Sequence, residues 1–150
     1  MSEEGRDLSL MYGQLNFSEK TQLLVESIRS SEPSRPVGSR KSNVRGRYPS
    51  RKMGVTIQFE SHRNELPAIF EFEHDLDVIE YYDQPSPITI EYEGMNKRRI
   101  RVLHTPDFFV IREMSAGWEE CKTEEDLLSL HERNPDRYCR DKDGVWRCPP

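Results

Sequence analysis

Two stretches of this 150-residue chain decide its fold: VLHTPDFFVI at residues 102–111 and GWEECKTEEDL at residues 117–127. Both contain the branched and aromatic side chains that favour strands, which predicts strands at Asp107–Arg112 and Gly117–Lys122. Only a tight turn at Ser115–Gly117 connects them, so we expect the two strands to lie side by side and antiparallel.

This pairing gathers charged side chains at one end of the sheet. Asp107 begins the first strand and Glu120 lies near the end of the second, so their carboxylates are expected to lie close together. Alternation along the second strand places Glu120 and Lys122 on one face, and Glu119 and Cys121 on the other. The sequence therefore predicts two carboxylates and a lysine converging at a sheet end.

Further elements are expected on either side of these two strands. Their order of helix, several strands and helix predicts an α/β fold whose strands form a mostly antiparallel meander. We expect strands at Val78–Tyr82, Ile88–Tyr92 and Arg99–His104, helices at Ser18–Ser30, Thr56–Glu73 and Thr123–Glu132, and a hairpin turn at Asp143–Gly144. Pro67 is expected to kink or restart the second of these helices.

Composition narrows the class of protein. There are 22 Lys plus Arg against 27 Asp plus Glu, for a net charge of −5, and 34% of residues are hydrophobic. No stretch approaches the roughly 18 unbroken apolar residues of a membrane helix, which excludes a transmembrane protein. The first residues resemble neither a signal nor a transit peptide, and three cysteines outside any C-x-x-C pair favour reduced thiols. We therefore expect a cytoplasmic protein.

Positive charge is concentrated near the N-terminus. Residues 33–59 contain seven basic and no acidic residues, which leaves a charge of −12 for the rest of the chain. We predict an N-terminal helical segment at 1–32, a basic linker or arm at 33–54 and a folded domain at 55–150. The basic segment is either a DNA-binding arm or a solvated linker.

The predicted charged cluster suits phosphodiester hydrolysis. Two carboxylates hold hard divalent cations, and a lysine beside them orients the attacking water or offsets developing charge. The alternative interpretation is that alternating charges on neighbouring strands form only cross-strand salt bridges. His104, just before the first of these strands, either contacts this site or forms a local hydrogen bond.

Several segments together resemble the TnsA subunit of heteromeric cut-and-paste transposases, which has the restriction-endonuclease-like PD-(D/E)xK fold. They cover roughly residues 49–138: PSRKMGVTIQFESHRNEL at 49–66, EHDLDVIEYYDQPSPI at 73–88, VLHTPDFFVI and GWEECKTEEDL. The resemblance implies a mixed sheet core flanked by helices, here with a basic N-terminal arm. It also implies that the chain is a fragment of a longer protein or part of a fusion.

The same resemblance implies an activity and its residues. A TnsA-like subunit cleaves DNA at the 5′ ends of the mobile element, while a DDE-type transposase cuts and joins the 3′ ends. Its partners include an ATP-dependent regulator of the transposase. Asp107 and Glu120 correspond to metal ligands for Mg²⁺, with Mn²⁺ as a substitute, and Lys122 to the catalytic lysine. Glu65 corresponds to the first catalytic glutamate, with Glu60 as the alternative, and the Cys121 carbonyl could also face a metal.

Double-stranded DNA at the transposon ends is the expected substrate, and basic residues are expected to contact its backbone. The candidates are Arg45, Arg47, Arg51, Lys52, Arg63, Lys97, Arg98 and Arg99. Two other functions remain open at this point. The chain could be a non-catalytic DNA-binding and docking module of the same complex, or a stand-alone restriction-like nuclease.

Overall fold

The structure, a computed structural model, describes residues 6–31, 46–61 and 63–147. The chain divides into two compact units, Met1–Glu120 and Cys121–Pro150. This division does not test the predicted boundary between the basic linker and the folded domain. Most of the predicted linker, including Arg45, lies outside the described residues, so that boundary stays a prediction.

The strands of the first unit form three small antiparallel sheets. They are β1 (Gly46–Pro49), β2 (Thr56–Phe59), β3 (Val78–Asp83), β4 (Ile88–Glu93), β5 (Arg99–His104), β6 (Phe108–Arg112) and β7 (Ser115–Glu119). β1 pairs with β2, and β4 pairs with β5 as a hairpin. The third sheet has the order β3-β6-β7. The hairpin is thus an insertion between two neighbouring strands of the central sheet.

In the described part of this unit, three helices accompany these strands: α1 (Ser9–Gln14), α2 (Glu19–Ser30) and α3 (Glu65–His74). The α2 helix begins as predicted, because the Ser18 side chain accepts a hydrogen bond from the Thr21 N–H at 3.2 Å and so satisfies one main-chain donor at the helix start. The α1 helix was not predicted. It is short, without a side-chain cap, so its sequence carries little helical signal.

The central sheet is covered on both faces. On one face, Phe109 and Ile111 of β6 pack in a buried cluster with residues of the two N-terminal helices. The other buried members of this cluster are Leu8, Met11, Tyr12, Val25 and Ile28. On the other face, the ring of Phe108 lies 5.3 Å from that of Phe72 on α3. Since successive residues of a strand point to opposite faces, one strand serves both cores.

The predicted helix at Thr56–Glu73 is wrong over its first half. Thr56–Phe59 is β2, whose buried Ile57 and Phe59 alternate with more exposed residues in the two-residue period of a strand. The helix begins only at Glu65, so Pro67 lies in the first turn, where its missing N–H costs no helical hydrogen bond. Of the predicted kink or restart, the structure therefore shows the start of a helix beside Pro67.

The predicted antiparallel pairing is confirmed, but the meander order is wrong for β3, which pairs with β6 and not with β4. The last strand is displaced as well: β7 spans Ser115–Glu119, so the predicted turn residues belong to the strand. Glu120, Cys121 and Lys122 follow the strand, and strict alternation of faces does not apply to them.

The second unit contains α4 (Glu124–Arg133) and a small hairpin of β8 (Cys139–Arg140) and β9 (Trp146–Arg147). Thr123 caps α4 in a capping box with Asp126, as the sequence predicts for a helix start. The predicted turn is present, with Gly144 at a positive φ of 78° that favours glycine. Trp146 donates from Nε1 to Glu124 at 3.0 Å and so joins the hairpin to the helix.

In the part of the chain that the structure describes, no helix has the length and apolarity needed to cross a bilayer.

Candidate active site

The register of the central sheet places two acidic residues beside each other. Phe108 at the start of β6 pairs with Glu119 at the end of β7. Asp107 and Glu120 are the next residues outward on either strand, so both flank the same terminal pair. The juxtaposition expected from antiparallel pairing is therefore present in the register, although the strand begins and ends earlier than predicted.

A third acid, Glu65, lies at the start of α3. Its side chain is only 6% exposed. The carboxylate oxygen Oε2 accepts a hydrogen bond from the main-chain N–H of Glu60 at 2.8 Å. Glu65 and Glu60 are the two candidates for the first catalytic glutamate. They are hydrogen-bonded to each other, through the side chain of Glu65 and the main chain of Glu60.

The surroundings of Glu65 make its ionisation costly. Burial, together with the negative charges of Asp107, Glu60 and Asp83, raises the pKa of its carboxyl from 4.5 to about 7 against the lowering effect of the Glu60 N–H. Burial also raises the pKa of Asp83, whose carboxylate accepts from the Gln58 N–H at 3.1 Å. The site therefore concentrates negative charge in a poorly solvated place, which a cation would relieve.

The segment Asp83–Gln84 completes this end of the sheet and was not predicted to belong to the site. The Gln84 N–H donates to the Asp107 carbonyl at 3.0 Å, which fixes the main chain just before β6. Gln84 is 2% exposed, adopts a positive φ of 46°, and its Oε1 is buried without a hydrogen-bond partner. A left-handed non-glycine residue with an unsatisfied buried oxygen is a strained arrangement of the kind found near functional sites. In the sequence, these two residues begin the D-Q-P motif at 83–85, which is part of the family resemblance.

His104 reaches the same place from the hairpin. Its Nε2 lies 2.8 Å from Oε2 of Glu120. Both side chains are about one-third exposed, at 38% and 34%. Of the two interpretations that the sequence left open, the structure shows a contact with Glu120, which is a predicted site residue.

The donor chemistry fits Mg²⁺. Hard oxygen ligands suit this ion, which proteins usually bind through one or two carboxylates together with substrate phosphates and water. Asp107 and Glu120 supply that number of carboxylates. Among residues 6–31, 46–61 and 63–147, no three His, Cys, Asp or Glu side chains are grouped so as to hold a metal ion by themselves.

Lys122 and Cys121 belong to the second unit. They lie on the short irregular segment between β7 and α4, where Lys122 is exposed and Cys121 is partly buried. In sequence, Lys122 follows Glu120 by two residues. Its assignment as a catalytic lysine stays a prediction.

The predicted DNA-contacting residues fall into separate groups. Lys97 and Arg98 lie in the turn of the β4–β5 hairpin, and both are exposed. Arg99 is 83% exposed and lies 3.8 Å from Glu91 on the paired strand. Exposed positions are also found for Arg47, Arg51 and Arg63.

Lys52 forms hydrogen bonds within the protein that the sequence did not predict. Its ammonium donates to the carbonyls of Phe72, Asp75 and Val78, the latter two at 2.7 Å. These acceptors lie at the end of α3 and the start of β3, where helix carbonyls lack partners of their own. Since an ammonium has three hydrogens, the Lys52 head group is engaged within the protein, and its predicted DNA contact has no support from its position.

The two helix-covered faces and the acids at one sheet end define an α/β domain with a candidate hydrolytic site. A comparison with protein families gives a match. Residues 75–148 match the family described as TnsA-like endonuclease N terminal. This stretch is thus similar to TnsA-like endonucleases, in agreement with the resemblance seen in the sequence. A comparison with curated proteins finds no match.

Proposed function

We propose that this chain is a metal-dependent DNA endonuclease subunit of a transposase, which hydrolyses phosphodiester bonds at the 5′ ends of the transposon during cut-and-paste transposition. One observation carries the proposal. The stretch that matches the TnsA-like endonuclease family includes both Asp107 and Glu120, which flank one terminal pair of the central sheet, and Lys122 just after them.

In this proposal the acids bind the cofactor. Asp107 and Glu120 hold Mg²⁺, which Mn²⁺ can replace, and Glu65 contributes a third carboxylate from α3. Glu60 is the alternative for that third position, and the Cys121 carbonyl is a further candidate ligand. When bound, the metal ion would neutralise charge on the scissile phosphate and make a water molecule more acidic.

The remaining chemistry is assigned to this chain's own groups. Lys122 orients the attacking water and offsets negative charge on the phosphate as the oxygen of water bonds to phosphorus and the phosphodiester P–O bond breaks. The burial of Glu65 among other acids supports a cation-binding role, because a bound cation would offset their mutual repulsion.

Basic residues outside the acidic site would hold the DNA backbone. The exposed turn of the β4–β5 hairpin carries Lys97, Arg98 and Arg99, and the His104 contact places the base of the hairpin beside Glu120. We assign phosphate contacts to these three residues and, farther away, to Arg47, Arg51 and Arg63. Arg45 is a candidate that lies outside the described residues.

The family context supplies the wider setting of the proposal. We propose that the core is restriction-endonuclease-like, that the subunit acts on transposon-end DNA in the cytoplasm, and that it works with a DDE-type transposase. That transposase is either a separate subunit or fused to this chain. An ATP-dependent regulator is the further proposed partner.

The first experiment asks whether the acids are needed for metal-dependent cutting. Purified chain, with the cognate transposase and a plasmid carrying the transposon ends, is incubated in Mg²⁺ or in EDTA. Asp107→Asn is compared with Asp136→Asn, a matched change at an exposed aspartate of the second unit. We expect Mg²⁺-dependent nicking by wild type and by Asp136→Asn, and none by Asp107→Asn.

Other results of this experiment would support one of the two alternative functions. Binding of DNA and transposase without any nicking by wild type would refute the proposal in favour of a non-catalytic docking module. Nicking that needs Asp107 but neither the transposase nor the transposon ends would instead indicate a stand-alone nuclease. If the Asp107→Asn variant still nicks DNA, the acids at this end of the sheet are not needed for cleavage.

A further inference from the structure

The contact between His104 and Glu120 joins two parts of the first unit that the strand pairing leaves separate. His104 is the last residue of β5, where it pairs with Ile88 of β4. The hairpin has no strand partner in the central sheet. In the tautomer that carries its proton on Nε2, His104 donates a hydrogen bond to Glu120 Oε2 across 2.8 Å.

Glu120 lies just outside the strand ladder. β7 ends at Glu119, so Glu120 is the first residue that the ladder with β6 does not include. A glutamate side chain at a partly exposed position samples several rotamers, and ordering it costs about 1 to 2 kcal/mol of conformational entropy. His104, in contrast, is held by its place in the hairpin ladder.

The same segment supplies another site residue. His104, Thr105, Pro106 and Asp107 are consecutive, so the chain that brings Asp107 to the end of the sheet also brings the imidazole to Glu120. Pro106 is buried, which fixes this short connection against the core. The two carboxylates are thus placed by one stretch of chain, one directly and the other through the imidazole.

We propose that His104 is a positioning residue that holds the Glu120 carboxylate in a fixed orientation for a divalent cation. This inference rests on the proposed function, since it requires Glu120 to be a metal ligand. A half-exposed hydrogen bond of this kind adds little to the stability of the fold. Hydrogen-bonding partners of metal ligands, however, typically change metal affinity by about 10 to 100-fold when they are removed.

The test measures Mn²⁺ binding to the full chain without DNA, from the electron paramagnetic resonance signal of free Mn²⁺ during a titration. His104→Leu removes the donor, whereas His104→Gln keeps an N–H near the position of Nε2. His74→Leu is the matched control, because His74 is an exposed histidine at the end of α3. Circular dichroism checks that each variant folds.

We expect His104→Leu to bind Mn²⁺ about 10-fold more weakly than wild type, His104→Gln to recover most of that loss, and His74→Leu to match wild type. Equal affinities of His104→Leu and wild type would overturn the inference. So would a His104→Gln variant that binds no better than His104→Leu.

Glu120→Gln separates this inference from the proposed function. If Glu120→Gln weakens Mn²⁺ binding while His104→Leu does not, only the positioning role fails. If wild type shows no saturable Mn²⁺ binding, or if Glu120→Gln binds as wild type does, Glu120 is not a ligand and both proposals fail together.

Discussion

Replacing Glu65 by glutamine should stabilise the protein at neutral and alkaline pH. The Glu65 side chain is 6% exposed, and its pKa is raised from 4.5 to about 7, first by burial and then by neighbouring acids. Glutamine has nearly the same shape and keeps an oxygen that can accept from the Glu60 N–H. The substitution therefore removes the charge and leaves the packing and the hydrogen bond in place.

The sign of the pH dependence follows from the direction of the shift. Between pH 4.5 and 7 the folded protein keeps the Glu65 proton that the unfolded chain has lost, so wild-type stability falls as pH rises through this window. Above pH 7 both states are ionised and the penalty is constant. At 1.36 kcal/mol per pH unit, the rise to about 7 corresponds to about 3 kcal/mol.

Urea unfolding followed by circular dichroism in EDTA, from pH 5 to pH 8, measures this effect. The gain in unfolding free energy of Glu65→Gln over wild type should grow by about 2 to 3 kcal/mol across that range. Glu71→Gln, at an exposed position of the same helix, controls for the loss of one carboxylate. A difference between Glu65→Gln and wild type that is constant with pH would refute the account of a buried acid among acids.

Three further predictions concern residues around the core and the hairpin. Lys52→Met should lower the unfolding free energy by about 2 kcal/mol in a urea titration, because three main-chain carbonyls lose a charged donor. Arg29→Met should cost about 3 kcal/mol, since it leaves the Glu80 carboxylate, 12% exposed, without the guanidinium that contacts it at 2.8 Å. Adding Glu80→Met should recover most of that loss, and no recovery would contradict the explanation. Arg98→Ala should weaken DNA binding and reduce the slope of log affinity against log salt by about 0.9, as measured by fluorescence anisotropy.

Helix-capping residues and runs of branched or aromatic residues correctly predicted the helices and strands in which they lie. Ser18 and Thr123 cap α2 and α4 as expected, because a capping side chain acts on donors only a few residues away. Val78, Ile88 and Arg99 begin strands as predicted, since runs of branched and aromatic residues suit a pleated, half-buried surface. The pairing of the segments after Pro106 and Gly117 followed from their short connection.

Non-local contacts explain what the sequence did not predict. Apolar residues at Ile57 and Phe59 fit a helix or a strand equally well, and the pairing of β2 with β1 decides between them. The pairing of β3 with β6 passes over the whole hairpin, so the order of the strands gives no indication of it.

The candidate site also combines features that local sequence predicts with features that depend on distant residues. The register that places Asp107 and Glu120 beside the same terminal pair depends on one turn and was predictable. The roles of Lys52 and Gln84 depend on groups that lie about 20 residues or more away in sequence. The environment of Glu65 likewise depends on Asp107, far along the chain, which no local pattern specifies.

The most direct test of the central claim is strand-resolved cleavage of labelled transposon-end DNA in Mg²⁺ and Mn²⁺, with and without the cognate transposase. Wild type is compared with Lys122→Ala and with Lys142→Ala, a matched change at another exposed lysine of the second unit. The account predicts cuts on the 5′ strand that require the transposase, are lost in Lys122→Ala and persist in Lys142→Ala. Absence of 5′-strand cuts with wild type, or unchanged cuts with Lys122→Ala, would contradict it.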